Sequence, residues 1–436
     1  MAEKFKVIIR KCEDYSDVDR IRGIIREGIE ALGEKPRGKV LLKPNLIYAH
    51  KRYATFGYTE PRVMEAIVDV LAQIPDVEKI TIGERTALTI PTRFTFYSAG
   101  YAFLEKKPKV DVCFFDEAEL VTFHLKKGTL HKSFELARPL VEADYKVWAP
   151  KLKNHSSTKI THAMKLNIGI LNAEERIAGH DWRLEEKIAD LYEAGHPDLV
   201  VSDSVLIGQQ GELVPKPMKL GVMMIGNNGL AVDSVGARIL GFEPNDIEHL
   251  RLARARGWPP ATDDDIIIDT EVPLEELQEK TKGFDRAFHN LEEIDTPIRF
   301  FLGKGKDGVY CDTGCTNMLK TAFAIVNAYA PGSLKEARPV AVVVGEHDGD
   351  IDGMGLPIVM LGDCTRVNGK VHNGKIIKYK GCPVMTPGFM VRAPSIFKVP
   401  NPYFDPVLVT RIPYHTFRQS VGKILNRGIF KSKLLQ

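Results

Sequence analysis

Residues 5–47, FKVIIRKCEDYSDVDRIRGIIREGIEALGEKPRGKVLLKPNLI, carry the strongest evidence for the fold class. An apolar run rich in isoleucine and valine (5–11) precedes a helical pattern that stops at Gly33, and a second apolar run follows at 39–47. Runs that are apolar throughout are typical of strands buried on both faces of a sheet, and glycine often ends a helix. The stretch therefore predicts a strand–helix–strand unit of an α/β protein.

The same alternation continues beyond residue 47. Further strands are predicted at 79–84, 111–117, 144–152, 199–208 and 220–226, and helices at 60–74, 158–171 and 230–242. Residues 121–137 have the pattern of an added hairpin. The pattern predicts a mostly parallel sheet with helices on both faces, followed by a smaller cysteine-containing α/β region with strands at 339–346 and 357–364.

A length of 436 residues exceeds what one hydrophobic core usually supports, so more than one domain is expected. Shifts in composition divide the chain into four parts. We expect an α/β domain with a lysine- and histidine-rich segment at 1–258, a connection at 259–297, a cysteine region at 298–390 and a proline-rich, basic tail at 391–436.

The net charge of +3 gives no global reason to expect nucleic acid or a membrane as a partner. The N-terminus lacks the apolar segment of a secretory signal, and no apolar run reaches the roughly 20 residues that span a bilayer. We therefore expect a cytoplasmic protein. The basic residues near the C-terminus are typical of a solvated face, with docking of a partner protein as the alternative.

Four of the six cysteines, Cys311, Cys315, Cys364 and Cys382, fall within one short region. In a reducing compartment, clustered cysteines favour ligands or redox groups over disulfides. Four thiolates can hold a [4Fe–4S] cluster or a zinc ion. Only the first two are close in sequence, and solitary ligands, one followed by proline, are more typical of clusters. Four unrelated cysteines remain the alternative to a metal site.

A second group of candidate residues is basic. Lys43 and Asn45 end an apolar strand, at the position where ligands of open α/β sheets bind. Lys151 and Lys153 alternate, so both point to one face of an extended segment, and His155 follows. A solvated basic surface is the alternative reading.

The segment after His155 adds a helix prediction. Ser156, Ser157 or Thr158 is expected to cap a helix that carries His162 and Lys165 on one side, and a helix N-terminus beside lysines suits an anion. Lys165 stands among apolar residues, where a lysine needs a partner or a task. His180, Asp203 and Asp233 are further candidates.

Six stretches of this chain resemble domain-of-unknown-function family 362, a bacterial and archaeal group described as containing iron–sulfur centres. They are VLLKPNL, YTEPRVMEAIVDVL, APKLKNHSSTKITHAMKLNIGIL, RIAGHD, LVVSDSVLIGQQGE and GLAVDSVGARILGF, and they occur in the family's order over about residues 39–242. The chain lacks the C-x-x-C-x-x-C run of relatives with a ferredoxin-like module. It is similar instead to members with Gly-Asp-Cys (362–364) and Gly-Cys-Pro (381–383), which implies an iron–sulfur site.

These observations lead to three expectations about function. The first is an iron–sulfur redox enzyme that binds a small anionic substrate through Lys43, Asn45, Lys151, Lys153, His180 and Asp203 and receives electrons from a donor protein. The second is a lyase, epimerase or hydrolase with a structural zinc site, in which Lys165 and His155 perform acid–base catalysis. The third is an electron carrier or binding protein without catalysis.

Overall fold

The structure is a computed structural model that describes residues 4–285, 290–384 and 387–427. The chain divides into two units. The first unit comprises Met1–Ala173, Glu185–Arg286 and Ile412–Gln436, and the second comprises Glu174–Leu184 and Ala287–Arg411. The first unit is therefore built from three separate segments of the chain.

The first unit contains a large sheet of ten described strands. The strands before residue 286 are β1 (Phe5–Lys11), β2 (Gly38–Pro44), β3 (Val77–Glu84), β4 (Val110–Phe114), β5 (Leu120–His124), β6 (Ser133–Ala137), β7 (Tyr145–Ala149), β8 (Lys151–His155), β9 (Lys159–Thr161), β10 (Leu199–Gln209), β11 (Lys216–Gly226) and β12 (Ile266–Thr270). The order across the sheet is β12-β1-β11-β10-β7-β2-β3-β4, and β8 pairs with both β10 and β9.

Most of this sheet is parallel, which confirms the predicted fold class. Strands β10, β7, β2, β3 and β4 pair in parallel, whereas β11 is antiparallel to both β10 and β1. The predicted hairpin is also present, since β5 and β6 pair antiparallel outside the large sheet.

Helices connect the strands of the chain up to residue 285, and the short helix at Ala173–Ile177 belongs almost entirely to the second unit. They are α1 (Val18–Leu32), α2 (Pro61–Gln73), α3 (Thr92–Ser98), α4 (Arg138–Val141), α5 (Ala173–Ile177), α6 (Leu184–Ala194), α7 (Gly229–Ile239), α8 (Glu248–Ala255) and α9 (Leu274–Lys280). The first helix shows why these residues fold as they do. Asp17 accepts a hydrogen bond from the Arg20 backbone N–H at its start, and Gly33 ends it in the left-handed conformation.

The prediction of a helix at 158–171 is wrong. Lys159–Thr161 form strand β9, which pairs antiparallel with β8, and a 3₁₀ helix follows at Lys165–Ile170. The backbone N–H groups of Ala163 and Met164 donate to the Asp233 carboxylate at 2.7 and 2.9 Å. Because distant residues satisfy the backbone here, Ser156, Ser157 and Thr158 have no α-helix to cap. The expected anion site at a helix N-terminus is wrong for the same reason.

The second unit has its own parallel sheet and its own core. Its strands are β13 (Arg299–Leu302), β14 (Ala341–Asp348), β15 (Ile351–Asp352), β16 (Ile358–Asn368), β17 (Val371–His372) and β18 (Ile376–Tyr379), and the later helices of the chain are α10 (Cys315–Tyr329), α11 (Pro387–Phe397) and α12 (Pro406–Arg427). The sheet order is β13-β14-β16-β18, all in parallel. Leu319, Phe323 and Val342 are among the residues of its core.

None of the helices in the described parts of the chain is long and apolar enough to cross a membrane.

Candidate anion site and four-cysteine group

Four buried charged residues lie on neighbouring strands of the first unit, near the point where β2 and β7 end. Strand β2 ends with Lys43 and Pro44, which pair with the end of β7. Beyond Pro150 the chain continues as β8, in which Lys151 pairs with Asp203 of β10. Lys43, Lys151, Lys153 and Asp203 are each at most 1 % exposed. The sheet therefore places three buried lysines at the edge where ligands of parallel sheets bind.

Two of these lysines have carboxylate partners. The Lys43 ammonium lies 2.5 Å from Glu84, and the Lys151 ammonium lies 2.8 Å from Asp203. Asp203 also accepts a hydrogen bond from the Tyr15 hydroxyl at 2.7 Å. Buried pairs of this kind hold their strands in register, because an unpaired charge would be costly there. Lys43 and Lys151 are thus neutralised within the protein.

Lys153 differs from its neighbours. Its ammonium donates to the carbonyl oxygens of Gly57 and Glu212, each at 2.7 Å, and lies 3.5 Å from the Asn45 side-chain oxygen. Within the described residues, no carboxylate lies within ion-pairing distance of Lys153. Burial lowers the pKa of Lys153 to about 7, the Glu212 carboxylate opposes this shift, and the Lys165 and Lys151 charges add to it.

Two buried donors beside Lys153 have no acceptor within the described part of the structure. They are the Asn45 side-chain Nδ2 and the Thr161 hydroxyl. Thr161 is the cross-strand partner of Lys153, so the two side chains share one face of the β8–β9 ladder. A buried donor without an acceptor is unfavourable. The ammonium, amide and hydroxyl together form a set of donors that an anion would satisfy.

His155 is buried beside this set and is held neutral. Its Nδ1 accepts hydrogen bonds from the backbone N–H groups of Ser157 and Thr158, at 3.0 and 3.3 Å. Burial, with smaller contributions from Lys165 and Lys153, lowers the pKa of His155 well below its usual value. The lone pair that a general base would use is therefore already engaged. The roles predicted for His155 and Lys165 as catalytic residues stay predictions.

His180 lies in the second unit, whereas the segments that carry the lysines belong to the first. Its carbonyl oxygen and the Cα of Asp181 are each 3.9 Å from the position that a Cβ at Gly314 would occupy. The Thr313 hydroxyl donates a hydrogen bond to the Asp181 carbonyl. The structure thus places His180 beside the turn between Cys311 and Cys315.

The four cysteines of the second unit come from three separate parts of its chain. Cys311 precedes the turn that leads to Cys315, the first residue of α10, whereas Cys364 lies on β16 and Cys382 follows β18. All four are free thiols. Two hydrogen bonds join two of these parts, because the Asp363 N–H donates to the Gly381 carbonyl and the Gly381 N–H donates to the Asp363 side-chain Oδ1.

Glycines leave space around the sulfur atoms. A Cβ at Gly314 would lie 2.8 Å from the Cys311 sulfur, and a Cβ at Gly362 would lie 3.3 Å from the Cys315 sulfur and 3.7 Å from the Cys364 sulfur. Gly362 also has a φ of 99°, which favours glycine. The Val384 N–H donates to the Cys315 sulfur at 3.4 Å. The backbone therefore approaches the sulfurs closely, as it does around thiolate-bound groups.

The thiol groups of this four-cysteine group also influence one another. Burial is the main cause that raises the pKa of Cys315 to about 12; the Val384 N–H opposes this rise, and the charges of Cys364, Cys311 and Cys382 contribute to it. Burial likewise raises the pKa of Cys382, with contributions from Asp181, Cys311 and Cys364. A thiolate here is unfavourable without a nearby positive charge, which a bound metal supplies.

Across residues 4–285, 290–384 and 387–427, no group of three or more histidine, cysteine, aspartate or glutamate side chains is arranged to hold a metal ion. The case for a metal at the four-cysteine group rests on the donor atoms and their surroundings.

The sequence analysis did not identify three residues of the candidate anion site. Glu84 ends strand β3 at the same sheet edge as Lys43, so the rule that selected Lys43 would also have selected Glu84. Glu212 follows strand β10 in one of the stretches that resemble the family. Tyr15 lies in a loop 188 residues before Asp203, and no local pattern connects the two.

Comparisons with known proteins agree with the resemblance seen in the sequence. A family model described as "Domain of unknown function (DUF362)" matches residues 40–238. A protein of Synechocystis named as thylakoid-associated is 24 % identical over 292 residues, which cover 62 % of this chain and 88 % of the relative.

Two solved structures align with part of this chain. The lactate racemase apoprotein of Thermoanaerobacterium thermosaccharolyticum aligns with a TM-score of 0.36 and 14 % identity, over 53 % of this chain and 56 % of the other. A Thermotoga maritima protein aligns with a TM-score of 0.33 and 13 % identity, over 56 % of this chain and 60 % of the other. The chain thus spans less than two thirds of either structure.

The matched residues 40–238 include Lys43, Lys151, Lys153 and Asp203, and they end before the four-cysteine group. This part of the chain is similar to the DUF362 family.

Proposed function

We propose that this chain is an iron–sulfur enzyme that acts on a small anionic substrate. The substrate binds in the first unit beside Lys153, and Cys311, Cys315, Cys364 and Cys382 of the second unit hold one [4Fe–4S] cluster. The observation that carries the proposal is the set of four free thiols, approached by glycine backbone, within one small unit.

The anionic character of the substrate is supported by the donors around Lys153. An ammonium without a carboxylate partner, an amide N–H₂ without an acceptor and a hydroxyl without a partner, all among the described residues, favour a group rich in oxygen lone pairs. A carboxylate or a phosphate has this property. The paired Lys43 and Lys151 hold the strands that carry these donors.

The four-cysteine group fits a cluster by the chemistry of its donors. Cysteine thiolates are the usual ligands of a [4Fe–4S] cluster, and four of them saturate its irons. When bound, such a cluster supplies or accepts single electrons. The chain's own contribution is to place the sulfurs, exclude bulky side chains at Gly314 and Gly362, and donate the Val384 N–H to a sulfur.

The test is to purify the full chain anaerobically and to measure its visible spectrum, iron, sulfide and zinc. We expect brown protein with about four irons and about four sulfides per chain. If the protein contained one zinc per chain and no sulfide, the four cysteines would hold a structural zinc ion and not a cluster. Anaerobically purified protein without any metal would contradict the proposal.

A second candidate function is acid–base catalysis without electron transfer. The specific observation that favours it is the lowered pKa of Lys153, about 7, since a general acid or base works best with a pKa near the working pH. Here Lys153 exchanges the proton, and the Lys165 charge helps to keep its pKa low. Iron-free protein that still turned over a carboxylate or phosphate substrate would favour this candidate.

The pKa of Lys153 makes anion binding dependent on pH. Sulfate, which keeps its charge over this range, is expected to bind below pH 7 and to lose about tenfold in affinity for each pH unit above it, because the ammonium becomes neutral. Titration calorimetry at several pH values would measure this.

The variant Lys153→Met should bind sulfate weakly at every pH, whereas Lys39→Met, which changes an exposed lysine on β2, should bind as the original protein does. Without an anion, stability has the opposite pH dependence. The lysine of the unfolded chain keeps its proton up to its ordinary pKa of 10.5, so stability due to this group rises from about pH 7 toward that value. Sulfate binding that does not change between pH 6 and 8 would exclude Lys153 as the anion-binding group.

A further inference from the structure

The part of helix α12 that belongs to the first unit has a face that packs against that unit. His415 stacks on Tyr97 with ring centroids 5.8 Å apart, and Gln419 donates a hydrogen bond to Asp116. Gly422 approaches Glu117 so closely that a Cβ there would collide with its carboxylate. These residues recur at i, i+4 and i+7, so they occupy one side of the helix.

The opposite side of the same helix is apolar and exposed. Tyr414, Phe417, Val421, Ile424 and Leu425 recur at i, i+3, i+7, i+10 and i+11, which places them along one stripe. Phe417 is 67 % exposed and Leu425 is 75 % exposed. Contiguous apolar side chains of this kind are uncommon on a free surface and mark a site of association. We call these five residues the exposed stripe.

The part of the sequence that carries the exposed stripe is strongly basic. From residue 406 to residue 436 the chain has no aspartate or glutamate, and it has six basic residues, Arg411, Arg418, Lys423, Arg427, Lys431 and Lys433. Without these six, the chain's remaining 54 basic and 57 acidic residues would leave a net charge of −3. The net charge of +3 for the whole chain therefore does not reflect the excess of positive charge in residues 406–436.

Together these features indicate what covers the exposed stripe. We infer that this face of α12 docks on the surface of an anionic lipid bilayer, with Phe417 and Leu425 inserted among the acyl chains and Arg411 and Arg418 at the headgroups. A helix with one apolar side and flanking lysines and arginines lies in the interface in this way. A second copy of the chain is disfavoured, because a symmetric contact would bring the same positive charges together.

The inference changes the sequence-based expectation that no membrane is a partner. That expectation rested on the balanced charge of the whole chain, whereas the bilayer responds to charge within about a Debye length of its surface. The proposed docking on a bilayer does not depend on the proposed iron–sulfur function, because the exposed stripe and the four-cysteine group belong to different units.

The test is co-sedimentation of the full chain with vesicles of phosphatidylcholine that contain about one third phosphatidylglycerol, compared with pure phosphatidylcholine. We expect at least about tenfold tighter binding to the anionic vesicles, and a decrease as salt is raised. The double variant Phe417→Glu with Leu425→Glu should lose binding. The control Ile267→Glu changes an exposed apolar side chain on β12 and should bind like the original protein.

A second variant tests the docking even if the first variant fails to fold. Arg411→Gln with Arg418→Gln leaves the exposed stripe intact, so it should fold normally, bind anionic vesicles more weakly and depend less on salt. Equal binding to neutral and anionic vesicles, or binding that the Phe417 and Leu425 changes leave intact, would overturn the inference. So would a dimer in sedimentation velocity, without vesicles, that the same changes dissociate, because another chain would then cover the face.

Discussion

Replacement of Cys364 by serine is expected to remove the absorbance near 400 nm and to lower bound iron by more than about tenfold. Serine has almost the same size as cysteine, but its hydroxyl stays protonated and is a poor ligand of iron. Cys364 lies half-buried on strand β16, so the exchange should leave the sheet intact. Anaerobic preparation of the variant, followed by iron and sulfide analysis, measures the effect.

Cys113→Ser is the matched control. Cys113 is another free, partly buried cysteine, but it lies on β4 in the first unit, outside the four-cysteine group. This variant should keep its full complement of iron. If the Cys364 variant kept its spectrum, Cys364 would not be a ligand, and the four-cysteine assignment would fail.

Replacement of Asp203 by asparagine is expected to destabilise the first unit by about 3–5 kcal/mol. Asp203 is fully buried and accepts hydrogen bonds from the Lys151 ammonium, the Tyr15 hydroxyl and the Glu60 N–H. Asparagine would leave Lys151 without a countercharge and would turn an N–H₂ group toward one of these donors. The free energy of unfolding in urea measures the loss.

Two further variants show whether the loss of stability comes from the buried ion pair. Asp111→Asn breaks an exposed ion pair with Lys79, and such a pair contributes about 0–1 kcal/mol. The double variant Asp203→Asn with Lys151→Met should regain part of the lost stability, because no buried charge of this pair then lacks its partner. A cost for Asp203→Asn no greater than that for Asp111→Asn would show that the buried pair does not hold β8 against β10.

The strands could be predicted because their apolar runs are long and uninterrupted. Residues 5–11, for example, form β1 over Phe5–Lys11 as expected, and Gly33 ends α1 as expected. The failure at 158–171 has a physical cause outside that segment. The Asp233 carboxylate, about 70 residues away in sequence, takes the backbone N–H groups that would have formed a helix. No local pattern contains that information.

The sequence predicted the lysines of the candidate anion site but not their partners. Lys43 was found because it ends an apolar strand, and Lys151 and Lys153 because they alternate in an extended segment, but their roles differ in a way that the sequence could not reveal. Lys43 and Lys151 have carboxylate partners, whereas Lys153 has carbonyl oxygens, and only the folded sheet distinguishes them. The sequence also grouped His180 with the lysines, while the fold places it in the second unit.

The discontinuous first unit has a consequence for synthesis in the cell. The described part of α12 from Ile412 onward packs on this unit, yet it leaves the ribosome only after the whole of the second unit has been made. The face of the first unit that contacts His415 and Gln419 therefore stays uncovered while the second unit is translated. If the exposed stripe binds a bilayer, it can do so only after the second unit has been synthesised.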